Sequence, residues 1–385
     1  GGDSLRLAVA LAVMGSCYGL LPGMAEANTI NLGTSLEDNK ITLDGTTVTV
    51  KSDYTWSDYV IGGTTSDNVT IDNVTISGAT ITLKKSVYLA AGSGSKATLT
   101  INGSTIKTDG STGSYLYGIK AAGTEDASGG QLIIQGDSSS VSGVNGIEGG
   151  DTTSGKASEN EVTISAGTVT LSVGVPDIVG GLTLDGTASN NKVNIKGGKI
   201  TAAGSIEGGA GTSASGNQVN ISGGTVKAGT DIIGGYSAGS GTSDTASGNS
   251  VSINGDDATA AVTANTIIGG QSDSTTASGN SVAISKGTGT GDAPTVTAAS
   301  IIGGQSAGDN DKNTVSISDG TVNANITGGS SSAGAASKNT VTISGGTVTG
   351  NTIAGGASNS GDASDNSVTI SGGTITASIY GGQGT

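Results

Sequence analysis

Asn339-Thr340-Val341-Thr342-Ile343-Ser344-Gly345-Gly346-Thr347-Val348-Thr349 decides the reading of this chain, because the phrase returns. It comes back as Asn366-Ser367-Val368-Thr369-Ile370-Ser371-Gly372-Gly373-Thr374-Ile375-Thr376. Looser copies carry an apolar-polar-apolar triplet that begins at Ile41, Val74, Leu99, Leu132, Val162, Val193, Val219, Val251, Val282, Val315, Val341 and Val368. Successive starts lie 25 to 33 residues apart. A period of that size is the signature of stacked repeats, in which no unit can bury its apolar face alone.

Alternation with period two marks each triplet as a strand with one buried face. In Asn160-Glu161-Val162-Thr163-Ile164, Val162 and Ile164 point one way and Thr163 the other. The following Gly167-Thr168-Val169-Thr170 puts one apolar residue inward between two outward threonines. A third strand-like piece closes on a glycine pair, as in Ile178-Val179-Gly180-Gly181 and Ile268-Gly269-Gly270. The expectation is three short strands per coil, separated by turns whose positive φ glycine supplies. Coils paired with their equivalents one turn away make an all-β fold, a parallel β-helix (β-solenoid) of about twelve coils. At the strand spacing of ~4.8 Å the rod is roughly 55–60 Å long. Extra residues are expected in turns, between Tyr236 and Ser247 and between Lys286 and Pro294.

Composition fits a core one coil wide. The 385 residues include 70 Gly, one Trp and no Phe, so Val, Ile, Leu and Ala carry the apolar burial. Small β-branched side chains stack well above their own counterparts. Disorder is excluded for most of the length because the apolar triplets recur in phase. A net charge of −15, with Arg6 the only arginine and fifteen scattered Lys, argues against nucleic acid and anionic membrane surfaces.

Residues 1–27 read as a secretory signal peptide, with the apolar run Leu7 to Met14 and a small-x-small site at Ala25-Glu26-Ala27. Cys17 faintly resembles a lipoprotein cleavage site; if it leaves with the leader, the exported chain has no Cys and no disulfide frame. Residues 28–72, with Tyr54, Trp56 and Tyr59, are expected to form an N-terminal cap and first coil, and 73–385 the solenoid repeats. The rhythm breaks off at Thr385, as in a fragment of a longer chain.

Candidate site residues follow from the repeat. An Asn stands two positions before most triplets: Asn39, Asn160, Asn191, Asn217, Asn249, Asn280, Asn313, Asn339 and Asn366. A ligand-binding stripe is one reading; the favoured one is an inward ladder of stacked amides that bond backbone at a turn. Catalytic equipment is sparse. After residue 27 there is no His, Arg or Cys, which removes the common general base, the guanidinium clamp and the thiol nucleophile. Asp256-Asp257 resembles a polygalacturonase carboxylate motif, without that family's His and Arg. Asp309-Asn310-Asp311 has the alternating oxygens of a calcium loop but lacks its Gly and Glu, so no metal or cofactor is expected. Paired outward threonines, such as Thr295/Thr297 and Thr347/Thr349, resemble ice-binding ranks, broken by Lys199, Lys227 and Asn323. Aromatics crowd the first third, and a glycan contact is expected first at Tyr54, Trp56 and Tyr59, with Tyr88, Tyr115 and Tyr117 next.

Taken together, a signal peptide followed by Asn-x-Val-Thr-Ile-Ser-Gly-Gly-Thr-Val-Thr units with Ile-x-Gly-Gly closures resembles the passenger region of bacterial autotransporters and related β-helical adhesins. The resemblance covers nearly all of residues 28–385 and rests on a scaffold signature. It implies a non-enzymatic structural or adhesive protein, carried to the cell surface by a C-terminal barrel absent from this sequence. The partners it implies are surface glycans or proteins of host or neighbouring cells, or further copies of the chain. The alternative is an exported, pectin-lyase-like carbohydrate-active β-helix enzyme.

Overall fold

The computed structural model describes residues 73–384 apart from 84–87, 94, 111–112, 172–176 and 242, together with 41–44, 47–50, 53–56 and 60–61. The regular structure among them is all β, in sheets of 13, 20 and nine strands. From Thr47 onward each strand pairs in parallel with its equivalent one coil away, which makes the fold a parallel β-solenoid.

One coil runs Thr187–Ser189, Lys192–Ile195, Lys199–Ala202 and Ile206–Gly211. That is four strands where three were expected. The additional one, usually Thr-Ala-Ser or Ala-Ser but Ser-Ala-Ser at Ser213–Ser215 and Asn-Asp at Asn310–Asp311, builds the nine-stranded sheet. Its single inward Ala leaves no alternation to read, and Thr245–Ser247 lay within a stretch read as an inserted turn. The third and fourth strands share the 20-stranded sheet and fuse in the last four coils, as in Thr321–Ser331, across a break in register.

The start of the rod also differs from expectation. Val48-Thr49-Val50 is the triplet that stacks in register on Val74-Thr75-Ile76. Ile41–Asp44 instead pairs antiparallel with Thr47–Val50 and covers the outer edge of that first coil. Such a fold-back shields backbone donors and acceptors that an open stack would leave exposed. Twelve parallel triplet strands remain, spanning eleven turns, or roughly 50–55 Å at the normal strand spacing.

The core is a set of one-residue ladders. Val162, Val193, Val219, Val251, Val282, Val315 and Val341 stack in one file, and Ile164, Ile195, Ile221, Ile253, Ile284, Ile317 and Ile343 in a second. All are buried to within 1 %. Each such side chain contributes roughly 1.5–3 kcal/mol of transfer energy, and identical neighbours let one rotamer repeat along the file.

The glycine pair that closes each coil is a packing requirement. A Cβ on Gly269 would lie 2.3 Å from the Gly303 carbonyl oxygen of the next coil and 2.6 Å from the backbone of Ser281. Here the two sheets touch backbone to backbone. Gly279 is different: it sits at φ +64° just before a ladder Asn, with open space around its Cβ position. Gly269→Ala is therefore expected to cost about 3 kcal/mol by overpacking, and Gly279→Ala only about 1 kcal/mol through φ alone. Urea denaturation of both variants checks the order.

The residue before every ladder Asn from Asn160 to Asn366 takes a left-handed φ, between 54° and 65°. Gly216, Gly248 and Gly279 adopt it at little cost, whereas Glu159, Asn190, Lys312, Lys338 and Asp365 adopt it under strain. Lys338 is exposed. Lys338→Gly is expected to stabilise its coil by about 1 kcal/mol, read as slower amide exchange around Asn339; faster exchange would count against it.

Candidate functional site

The ladder asparagines are at the turn between the nine-stranded and 13-stranded sheets, where the left-handed residue swings the next side chain inward. Asn160, Asn191, Asn217, Asn249, Asn280, Asn313 and Asn339 have no exposed surface, and Asn366 in the last coil is half-buried. Asn280 shows the pattern. Its Nδ2 donates to the Ala246 carbonyl (3.0 Å) and to Asn313 Oδ1 (3.0 Å). Its Oδ1 accepts from the backbone N–H of Asn249 (2.9 Å) and from Asn249 Nδ2 (3.0 Å). Every donor and acceptor of the amide is used, and the bonds link into one chain from Asn160 to Asn366. Nothing of this amide chain faces solvent up to Asn339, so its chemistry is directed at the fold. Asn39 lies outside the described residues.

The aromatic candidates fall in two groups. Tyr54–Trp56 forms a strand in register with Ile81–Leu83, and Tyr59 lies outside the described residues. Tyr115 and Tyr117 stack with ring centroids 5.8 Å apart and 13° between planes. Tyr117 is almost wholly buried, so the pair offers at most the outer parts of Tyr115 to a sugar.

Thr295/Thr297, Thr321, Thr347/Thr349 and Thr374/Thr376 align coil on coil along the exposed face of the 20-stranded sheet. In the same two files stand Lys199, Lys227, Ala261 and Asn323. The carboxylate pair is a turn. Asp256 Oδ1 accepts from the backbone N–H of Thr288 (2.7 Å) and Gly289 (2.9 Å), tying in the long 285–294 loop, and Ser222 Oγ donates to Asp257. Asp309 Oδ1 likewise accepts from the Ala335 N–H (3.0 Å), and Asp311 pairs with Lys312 (2.9 Å).

A cluster of charge that the repeat pattern did not flag flanks the Gly-Gly pairs of the early coils. Ile147, Ile178 and Ile206 belong to the core, so their neighbours Glu148, Val179 and Glu207 face the other side of the sheet. They are nonetheless buried, at 4 %, 2 % and 9 % exposure, which makes the outer surface recessed here. In register, Tyr117, Glu148, Val179 and Glu207 form one file and Lys120, Asp151, Leu182 and Ala210 the next. Lys120 Nζ contacts Asp151 Oδ2 and lies 5.2 Å from the Tyr117 ring centroid. Ser205 Oγ donates to Glu207 Oε1 at 2.5 Å. Farther along, Val179, Leu182 and Ala210 pack with Tyr236, whose hydroxyl donates to Asp273 (2.6 Å). The signal in the sequence was a charged residue inside the closure itself, Ile147-Glu148-Gly149-Gly150-Asp151 and Ile206-Glu207-Gly208-Gly209.

No protein-family model, curated protein or solved structure matches this chain. The solenoid itself is what the geometry establishes.

Proposed function

We propose that this chain is an elongated, non-enzymatic surface scaffold with an adhesive role, the passenger region of an autotransporter-like protein. The observation that carries the reading is the division of labour in each coil. Interior positions serve the ladders, while outward positions of three long parallel sheets are mostly hydroxyl and amide side chains. Such a rod holds variable turn loops, including 238–244 and 285–294, away from its anchor at fixed spacing. The absence of His, Arg and Cys after residue 27 supports a binding role over hydrolysis. Export and surface display follow from the leader-like residues 1–27. Surface glycans or proteins, or further copies of the chain, are the partners of this reading, with Tyr54, Trp56 and Tyr59 the first glycan contacts to test.

The purified chain applied to a glycan array and to whole cells is expected to bind without releasing reducing or unsaturated ends from pectin-like polymers. Release of such ends would favour the carbohydrate-active alternative. Extending the gene past Thr385 gives an independent check: alternating strands of about ten residues would supply the outer-membrane barrel.

A further inference from the structure

We propose that Lys120 and Asp151 are a self-processing pair that forms an intramolecular isopeptide bond, stapling two successive coils, with Glu148 as the proton relay.

The geometry places the two groups side by side. Lys120 and Asp151 are direct cross-strand partners in the 20-stranded sheet, 31 residues apart in the chain. Nζ and Oδ2 are in contact, and the two side chains are 6 % and 1 % exposed. Their surroundings are apolar. Leu182 stands in register beside Asp151, Val179 beside Glu148 and Ala90 beside Tyr117, all buried, and the Tyr117 ring lies against Nζ. Glu148 lies three residues before Asp151 on the same strand, opposite Tyr117, with the Ile119/Gly150 register position between them, and is 4 % exposed. An amine and a carboxyl thus meet in a dry site, with a second buried carboxyl three residues away on the same strand. No other coil among the described residues places a Lys beside a carboxylate in this file, where Leu182, Ala210, Tyr236 and Gln271 follow.

The chemistry needs no partner reagent. Transfer of one proton from Nζ to Oδ2 turns the ion pair into a free amine beside a carboxylic acid, the two forms that can react. The Nζ lone pair attacks Cγ of Asp151. Glu148 takes a proton from the nitrogen and delivers it to the departing hydroxyl, the C–O bond breaks, and one water leaves. Glu148 ends as it began, and the products are an amide N–H and water. Holding amine and carbonyl in contact gives an effective concentration on the order of 10⁵ M or more, far above that of the water that would reverse the step. A staple there would lock one coil to the next independently of the core.

Trypsin digestion of the denatured full chain, followed by mass spectrometry, tests the proposal. Cleavage at Lys107 and Lys156 with Lys120 blocked gives a single fragment, 108–156, about 18 Da lighter than its linear sequence. Fragmentation should place a branch between residues 120 and 151. Lys120→Arg, which keeps the charge and cannot form the amide, is expected to give two ordinary peptides, 108–120 and 121–156. Glu148→Gln is expected to leave most of the protein unlinked while its circular dichroism stays that of the wild type. Two ordinary peptides from the wild-type chain would overturn the staple, whatever the variants do. A fully linked Glu148→Gln chain would overturn the relay.

Discussion

Val341→Asp is expected to destabilise its coil by about 5 kcal/mol at neutral pH, and Thr342→Asp by less than about 0.5 kcal/mol. The two positions are adjacent, so the contrast isolates the side of the sheet. Val341 has no exposed surface and stacks in register between Val315 and Val368. A carboxylate there loses its hydration and meets only methyl groups, in a file one residue wide that offers no polar partner. Thr342 points outward and is half-buried, so an ion there keeps its water. Because a solenoid unfolds by neighbouring units, the damage should be local. Amide exchange and limited proteolysis ought to accelerate around residues 314–370 in Val341→Asp while the early coils stay protected. Equal damage from both substitutions would mean that the inward and outward faces have been exchanged.

Asn280→Ala is expected to cost about 4 kcal/mol. Truncation strips the Ala246 carbonyl of a partner, leaves the Asn249 backbone N–H unbonded, and halves the donation available to Asn249 Nδ2. Buried groups left unsatisfied cost roughly 1–3 kcal/mol each, and no water can reach a site with no exposed surface. Position decides the size. Asn366, half-buried in the last coil, accepts from Asn339 and donates to Ala336 but has no next amide in this sequence above it. In the purified 385-residue chain, Asn366→Ala is expected to cost about half as much, since water can replace part of what is lost there. Comparing urea midpoints of the two variants measures the difference; a ladder that merely filled space would show none.

Much of this architecture was legible in the residues. Val-Thr-Ile alternation can be satisfied only by a strand with one buried face, and its recurrence every 25 to 33 residues only by stacking. Asn before the triplet marks the amide chain, whereas Gly-Gly, read as a closure before a turn, lies inside a strand without positive φ where two backbones touch. Each of these is a local demand repeated coil after coil, so repetition amplifies a weak signal. The Ala-Ser strand escaped because its one inward residue creates no period, and its pairing exists only once the coils are superposed. Ile41-Thr42-Leu43 carries the same alternation as a true triplet but pairs antiparallel at the edge. Alternation specifies a buried face and says nothing of strand direction.

The Lys120, Glu148 and Asp151 cluster marks the boundary most clearly. By itself the sequence determined the β-solenoid and its ladders, because those depend on which residue types recur at which interval. Only the tertiary structure decided that a lysine and an aspartate 31 residues apart share one dry box. Cross-coil contact depends on the length of every intervening turn, and turn lengths vary along this chain without any periodic rule. Burial on the outer face depends in turn on how the sheet is recessed beside its glycine pairs, a property of the stacked backbone that no single coil possesses.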